Sequence, residues 1–149
     1  MNTPELDAPK NIVTRFFIAF LNERNAAVAD ELVSPAVAGP AGKGPEGYKA
    51  MIAPLVKGFP DLLFTIEEMI VEGSRVVVRW TSKGTHNGPF AGVAPTGRQV
   101  TNTGIAIYRV ESGKIVENWS QLDRLGVLQQ IGAVPPIAPL VPPSGATSA

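Results

Sequence analysis

The stretch "SRVVVRWTSKGTH", Ser74–His86, alternates charged and apolar side chains. Arg75, Arg79 and Lys83 occupy odd positions, while Val76, Val78, Trp80 and Ser82 occupy even ones. A period of two marks a strand with one face on a core and the other in water. The even face is therefore read as the inner one, and His86 shares its parity if no bulge intervenes. The preceding "DLLFTIEEMIVEG", residues 61–73, is rich in β-branched and aromatic residues and ends in a Glu-Gly turn. Together the two segments predict a β-hairpin. Glu67 and Glu68 take opposite parity within it and read as a solvated strand edge, not as an acid/base dyad.

Downstream the same logic continues. "NGPFAGVAPTGR" is a turn-rich loop, and "QVTNTGIAIYRV" pairs with "KIVENWSQLD" across "ESG" as a second hairpin. "RLGVLQQIG" then predicts a terminal helical turn or two ending at Gly132. Upstream the period changes. Ile12, Phe16 and Phe20 form one i, i+4 row and Val13, Phe17 and Leu21 the row beside it, a wide apolar helical stripe. Asp7 is the expected N-cap, with Pro9 tolerated in the first turn. A second helix is expected over Asn25–Val33, and "SPAVAGPAGKG" reads as a loop holding at most a short strand. A third helix fits "PEGYKAMIAPLVKGF", with Pro54 expected to kink or shorten it. Helices followed by a mostly antiparallel sheet give an α+β domain over residues 1–132. Residues 133–149 form a tail whose five prolines favour extended chain. Its Val134, Ile137, Leu140 and Val141 are apolar enough to dock on this subunit or a neighbour.

Composition narrows the functions. With 149 residues the chain is one domain with room for a core. Thirteen basic and thirteen acidic side chains balance, without the basic run that a nucleic acid or an anionic membrane surface requires. No apolar stretch approaches the ~20 residues of a membrane span, and the first residues lack the pattern of a secretory signal. The expectation is a soluble cytoplasmic protein. Without cysteine, and with one histidine, thiolate chemistry is excluded and a His-rich metal site has little scope.

Two side chains carry candidate chemistry. On the last strand Glu117, Trp119, Gln121 and Asp123 share one face, and Val116, Asn118, Ser120 and Leu122 share the other. The first set offers an aromatic wall, an amide and a carboxylate, a lining suited to a flat polar ligand. A carboxyl group whose charged form is disfavoured by burial passes protons at neutral pH. Equally, Asp123 stands where a helix beginning at Arg124 needs its N-cap, and spacing alone leaves both roles open. His86 likewise reads either as a functional group at a strand-to-loop joint or as a residue that holds the turn.

"GTHNGPFAGVAPTGRQVTNTGIAIYRVESGKIVENWSQLD" resembles the signature half of the SnoaL-like polyketide cyclase (ester cyclase) family, of the NTF2-like cone superfamily. The matching elements are Gly84-Thr85-His86, Gly88-Pro89-Phe90, Pro95-Thr96-Gly97-Arg98, Gly113-Lys114-Ile115, Glu117, Trp119 and Asp123. The resemblance extends over roughly residues 8–132. It implies helices packed in a curved sheet around a cavity for a small hydrophobic or aromatic substrate. It also implies ring closure by intramolecular aldol condensation without metal or cofactor. Asp123 matches the family's acid/base aspartate and His86 a common loop histidine; a further active-site histidine of characterised cyclases has no counterpart. Trp119, Trp80, Phe90, Phe16 and Tyr108 are the expected pocket residues, with Gln121 orienting a carbonyl or enolate oxygen. Two rival readings stand beside this one. A steroid-isomerase-like or epoxide-hydrolase-like enzyme needs a second inward acid, a tyrosine donor (Tyr108 or Tyr48), or an Asp-Arg-Asp set. A non-catalytic binding or dimerisation module is favoured by an apolar cavity with Asp123 exposed as a helix cap. Homodimerisation through the outer sheet face is expected, since Ile105 and Ile107 oppose Ala106 and Tyr108 in parity.

Overall fold

Residues 8–137 are described in the computed structural model. Asp7, Leu140 and Val141 therefore lie outside the described residues. Helix α1 (Pro9–Arg15) starts with Pro9 in its first turn, where a missing N–H leaves no bond unmade, and Ala8 stands at the cap position without a side-chain bond. It runs directly into a π-helical segment, Phe16–Asn22. There Glu23 N–H reaches Ile18 O, five residues back, at 2.9 Å. Such wide turns are rare and are often found at functional sites. Here the segment turns Phe16, Phe17, Phe20 and Leu21 all inward, and leaves Ile18 about half exposed.

Helix α2 (Ala26–Leu32) follows, then a two-residue ribbon, β1 (Ala38–Gly39) with β2 (Gly42–Lys43). Helix α3 (Gly44–Gly58) continues past Pro54, against the expectation of a shorter helix. Both Pro54 and Ala50, whose carbonyl loses its usual partner, lie on the solvent side. Water can take that carbonyl, so the proline is tolerated.

The sheet is an antiparallel meander: β3 (Leu63–Glu72), β4 (Arg75–Thr85), β5 (Gln99–Glu111) and β6 (Lys114–Leu122), in that spatial order. A short helix, α4 (Arg124–Gln130), closes the domain. The β5–β6 turn places Ser112 and Gly113 both at positive φ, the geometry that suits the twist of a two-residue hairpin. The even face of β4 is buried throughout, as the alternation predicts. Two bulges break the parity elsewhere. Glu67 is skipped in the β3–β4 register, so it and Glu68 are both exposed and do not point to opposite faces. Val116 is skipped in the β5–β6 register, between the pairs Arg109↔Glu117 and Val110↔Ile115. The second bulge decides which residues of β6 face inward.

The core lies between the inner sheet face and the first helix. Phe16 packs edge-on to Tyr48 with ring centroids 5.3 Å apart and against Tyr108 at 5.8 Å, while Phe17 meets Phe64 and Tyr108. Trp80 sits directly opposite Gly104, and the absent side chain makes room for the indole. A Cβ on Gly104 would stand 2.3 Å from Trp80 Cζ2. Gly104→Ala is accordingly expected to cost about 1–3 kcal/mol through overpacking. A lowered urea midpoint with an unchanged slope would show it.

Candidate functional site

A cavity of about 170 Å³ lies between the first helix, α3 and the inner face of the sheet. Its walls are mostly aromatic and aliphatic: Phe16, Phe17 and Leu21 from the π-helical segment, Phe59, Phe64 and Trp80 from beyond. The polar groups are few and lie mainly on the β5–β6 side. Ser120 Oγ donates to Asn118 Oδ1 at 2.8 Å, and Asn118 Nδ2 donates to the Tyr48 hydroxyl oxygen at 2.8 Å. Tyr108, Ser82 and Asn102 also line the space. Among the described residues, none that lines it is Asp, Glu, Lys, Arg or His. Pro40, Ser120 and Leu122 are exposed as well as lining, so they mark the mouth.

Burial pushes the Tyr48 phenol up from its ordinary pKa, against the opposing effect of the bond from Asn118. Tyr108 is pushed up further by burial, and secondarily by the nearby Tyr48. Both therefore keep their protons at neutral pH and act as donors, not as bases.

The expected face of β6 is corrected. Glu117, Trp119 and Gln121 do share one face, but it is the outer one, with Trp119 half exposed. They stand opposite Arg109, Ile107 and Ile105, whereas Asn118, Ser120 and Leu122 stand opposite the inward Tyr108, Ala106 and Gly104. Asp123 is exposed, and its Oδ1 accepts the Gly126 N–H at 2.9 Å as the N-cap of α4. It lies with Gln121 in a shallow outer depression beside Arg79 and Ile105. Its neighbour Leu122 lines the inner cavity, as does Val127 one turn later. The carboxylate is thus outside the cavity, on a segment that borders it.

His86 is fully buried, with the inward parity that the alternation gives, but it is not among the cavity-lining residues. Its ring packs on Phe59, centroids 5.4 Å apart, behind the cavity wall. Thr96 N–H points at Nδ1 at 3.3 Å and the Thr96 hydroxyl lies 2.9 Å from the same atom. Nε2 is sealed without a partner among the described residues. The backbone of His86 exchanges bonds with Arg98 O and Gly97 N, both at 2.8 Å, pinching the base of the β4–β5 loop. Phe90 packs edge-on to the same Phe59 and does not line the cavity either. Of the expected pocket residues, Phe16, Trp80 and Tyr108 line the cavity; Trp119, Gln121 and Phe90 do not. Sequence reasoning left out Asn118 and Ser120, although it placed them correctly opposite to Trp119. Their inward placement follows from the bulge at Val116, which parity alone does not reveal.

Comparison with known proteins places this geometry. The SnoaL-like polyketide cyclase family matches the chain over residues 11–131. No curated protein matches it in sequence. Among solved structures, TsrD from Streptomyces laurentii is 28% identical, with a TM-score of 0.78, covering 90% of this chain and 100% of its own. IdmH from Streptomyces antibioticus, described as a candidate polyketide cyclase, is 31% identical over 83% of this chain and 98% of its own, with a TM-score of 0.73. A SnoaL-like polyketide cyclase from Agrobacterium tumefaciens is 25% identical over 89% and 100%, with a TM-score of 0.70. The fold is the α+β cone of the NTF2-like superfamily.

The end of β4, just before His86, hangs on Asp61. Its carboxylate accepts Thr85 N–H at 2.6 Å and the Thr85 hydroxyl at 2.7 Å. These two bonds, the backbone one first, hold the Asp61 carboxyl below its ordinary pKa. A depressed carboxylate contributes stability that is present above its unfolded pKa and lost as pH falls through the folded one. The clamp is expected to hold at pH 6 and release below pH 4, with faster amide exchange at Thr85. Asp61→Asn should remove that acid dependence and lower stability by less than about 1 kcal/mol, since the group is solvent-exposed.

Proposed function

The chain belongs to the SnoaL-like polyketide cyclase family, and from that premise we propose that it is a cofactor-free acid/base enzyme acting on a hydrophobic carbonyl compound, closing a ring by intramolecular aldol condensation. The observation that carries the reading is the apolar cavity with a few hydroxyl and amide groups, bordered by the segment that holds Asp123. The hydrophobic body of the substrate occupies the cavity, and its activated C–H extends past the mouth at Ser120 and Leu122 towards Asp123. The carboxylate takes the proton, the C–H electron pair becomes an enolate, and the enolate carbon attacks a ketone carbon of the same molecule. Asp123 returns the proton to the new alkoxide. Holding the two reacting carbons together supplies much of the rate for so acidic a C–H. His86 enters this reading as a positioning residue, since it fixes the loop behind Phe59.

A second reading, ligand binding without catalysis, is favoured by the exposure of Asp123 and its service as a helix cap. One substitution separates the two. Asn caps helices as well as Asp, so Asp123→Asn is expected to keep the fold and ligand affinity while losing turnover of a cyclisable β-keto ester by at least about a hundredfold. Undiminished turnover removes Asp123 from the mechanism, and absence of turnover in the unaltered protein favours the binding reading. The epoxide-hydrolase-like alternative has less support, because no Asp or Arg lines the cavity among the described residues.

The assembly belongs to the same proposal: a homodimer through the outer sheet face. Ile70, Val77, Ile107 and Trp119 stand opposite one another in a row that crosses all four strands. Glu68–Arg79 at 3.3 Å lies on one side and Arg109–Glu117 at 2.6 Å on the other. An apolar stripe between charged pairs is complementary to a second copy of itself. Trp119→Lys is expected to yield a monomer by sedimentation velocity; an unchanged sedimentation coefficient would contradict the interface.

A further inference from the structure

Inside the cavity the hydrogen-bond accounts of the two tyrosines do not close. Ser120 donates to Asn118 and Asn118 donates to Tyr48, so the Tyr48 oxygen is used as an acceptor and its own proton is left over. Tyr108 is almost completely buried, yet its hydroxyl makes no hydrogen bond among the described residues. It is not sealed into the protein either, so it opens onto the cavity. The two rings pack on the same Phe16, at 5.3 and 5.8 Å between centroids. Leaving a buried hydroxyl unpaired costs about 1–3 kcal/mol. Two unspent O–H donors in one apolar chamber are a recognition element that awaits an acceptor.

We propose that Tyr108 and Tyr48 form a paired-hydroxyl receptor for one neutral oxygen, the carbonyl of a compact ketone of one or two rings. Three observations define that class. Among the described residues no charged side chain lines the chamber, so a carboxylate or an ammonium group would lose its hydration without gaining a partner. The donors present are O–H groups that match an oxygen acceptor. The size is the third: about 170 Å³ compares with the ~150 Å³ engineered cavity that holds benzene. A ring of that size fills the space, and longer substituents leave through the mouth between Ser120 and Leu122. The chain Ser120→Asn118→Tyr48 polarises in one direction, which strengthens the last donor.

This rests on the cavity being the substrate site of the reading above, and it assigns the other end of the proton transfer. The two phenols polarise the ketone that the cavity holds, and negative charge that develops on its oxygen stays hydrogen-bonded to them. Neither tyrosine gives up its proton.

The test uses acetophenone, ethylbenzene and benzoate as probes of nearly equal size. Acetophenone is expected to bind, and Tyr108→Phe to weaken it about tenfold, the loss of one hydrogen bond. Ethylbenzene, which has no oxygen, should bind both proteins within about twofold, which also reports that the variant keeps its fold and cavity. The carbonyl carbon-13 signal of labelled acetophenone should move downfield on binding the unaltered protein and move less in Tyr108→Phe and Tyr48→Phe. Equal acetophenone affinity in both proteins, or benzoate binding as tightly as acetophenone, overturns the receptor. The two readings separate cleanly. Asp123→Asn should bind acetophenone normally, so lost turnover there with no effect of Tyr108→Phe on binding removes the receptor alone. Normal turnover in Asp123→Asn with weakened ketone binding in Tyr108→Phe removes the Asp123 mechanism alone.

Discussion

The bulge at Val116 is the constraint on which the inner chamber depends. The tight turn at Ser112-Gly113 sets Glu111 opposite Lys114 and Val110 opposite Ile115, with Ile115 fully buried. Continued without interruption, that register would carry Glu117, Trp119 and Gln121 inward and place a carboxylate opposite Tyr108. One skipped residue reverses the whole strand beyond it, because the side-chain period is two. Glu117 then lies beside Arg109 at 2.6 Å, where its charge is paired and hydrated, and Asn118 takes the inward place opposite Tyr108. Burying an unpaired Glu117 instead would cost far more than the distortion of one bulge.

From that reversal the character of both sheet faces follows. The inner face receives amide and hydroxyl groups among aromatics, which makes the cavity polar at one wall and neutral throughout. The outer face receives Trp119, completing an apolar row that would otherwise stop at Ile107. A polar-walled chamber inside and an apolar row outside are thus two consequences of the same extra residue. The π-helical segment does the complementary work on the opposite wall. It places four core side chains, Phe16, Phe17, Phe20 and Leu21, inward, the same face that their i, i+4 spacing marks in the sequence.

Much of the fold was legible in the sequence because the signals that govern it are local. The alternation of Val76, Val78, Trp80 and Ser82, the Glu-Gly and Ser-Gly turns and the apolar rows of the first helix each act within a few residues. The order of elements and the meander topology follow from them. The site was legible only in part, because it depends on registers between strands. Parity gave the correct sets on β6, but it could not say which set faced inward. Glu67 shows the same limit on β3: a bulge leaves no mark in the residue types that parity could detect. Pro54 failed as a helix breaker for a different reason, since its cost depends on whether the freed carbonyl of Ala50 meets water.

In the mechanism proposed above, Asp123 combines a cap and a proton carrier in one position. Its Oδ1 is occupied by the Gly126 N–H, and a carboxylate keeps a second oxygen with its own lone pairs. The cap fixes the side chain at the joint between Leu122 and Val127, both of which line the cavity. A proton carrier needs a fixed position more than it needs burial when its substrate is already acidic, because proximity then supplies the larger share of the rate. Burial is needed at the other end of the reaction, where charge appears on oxygen: dry, preorganised donors stabilise that charge without reorganising. The division of this domain into an exposed, anchored carboxylate and a buried pair of phenols is consistent with that physical requirement.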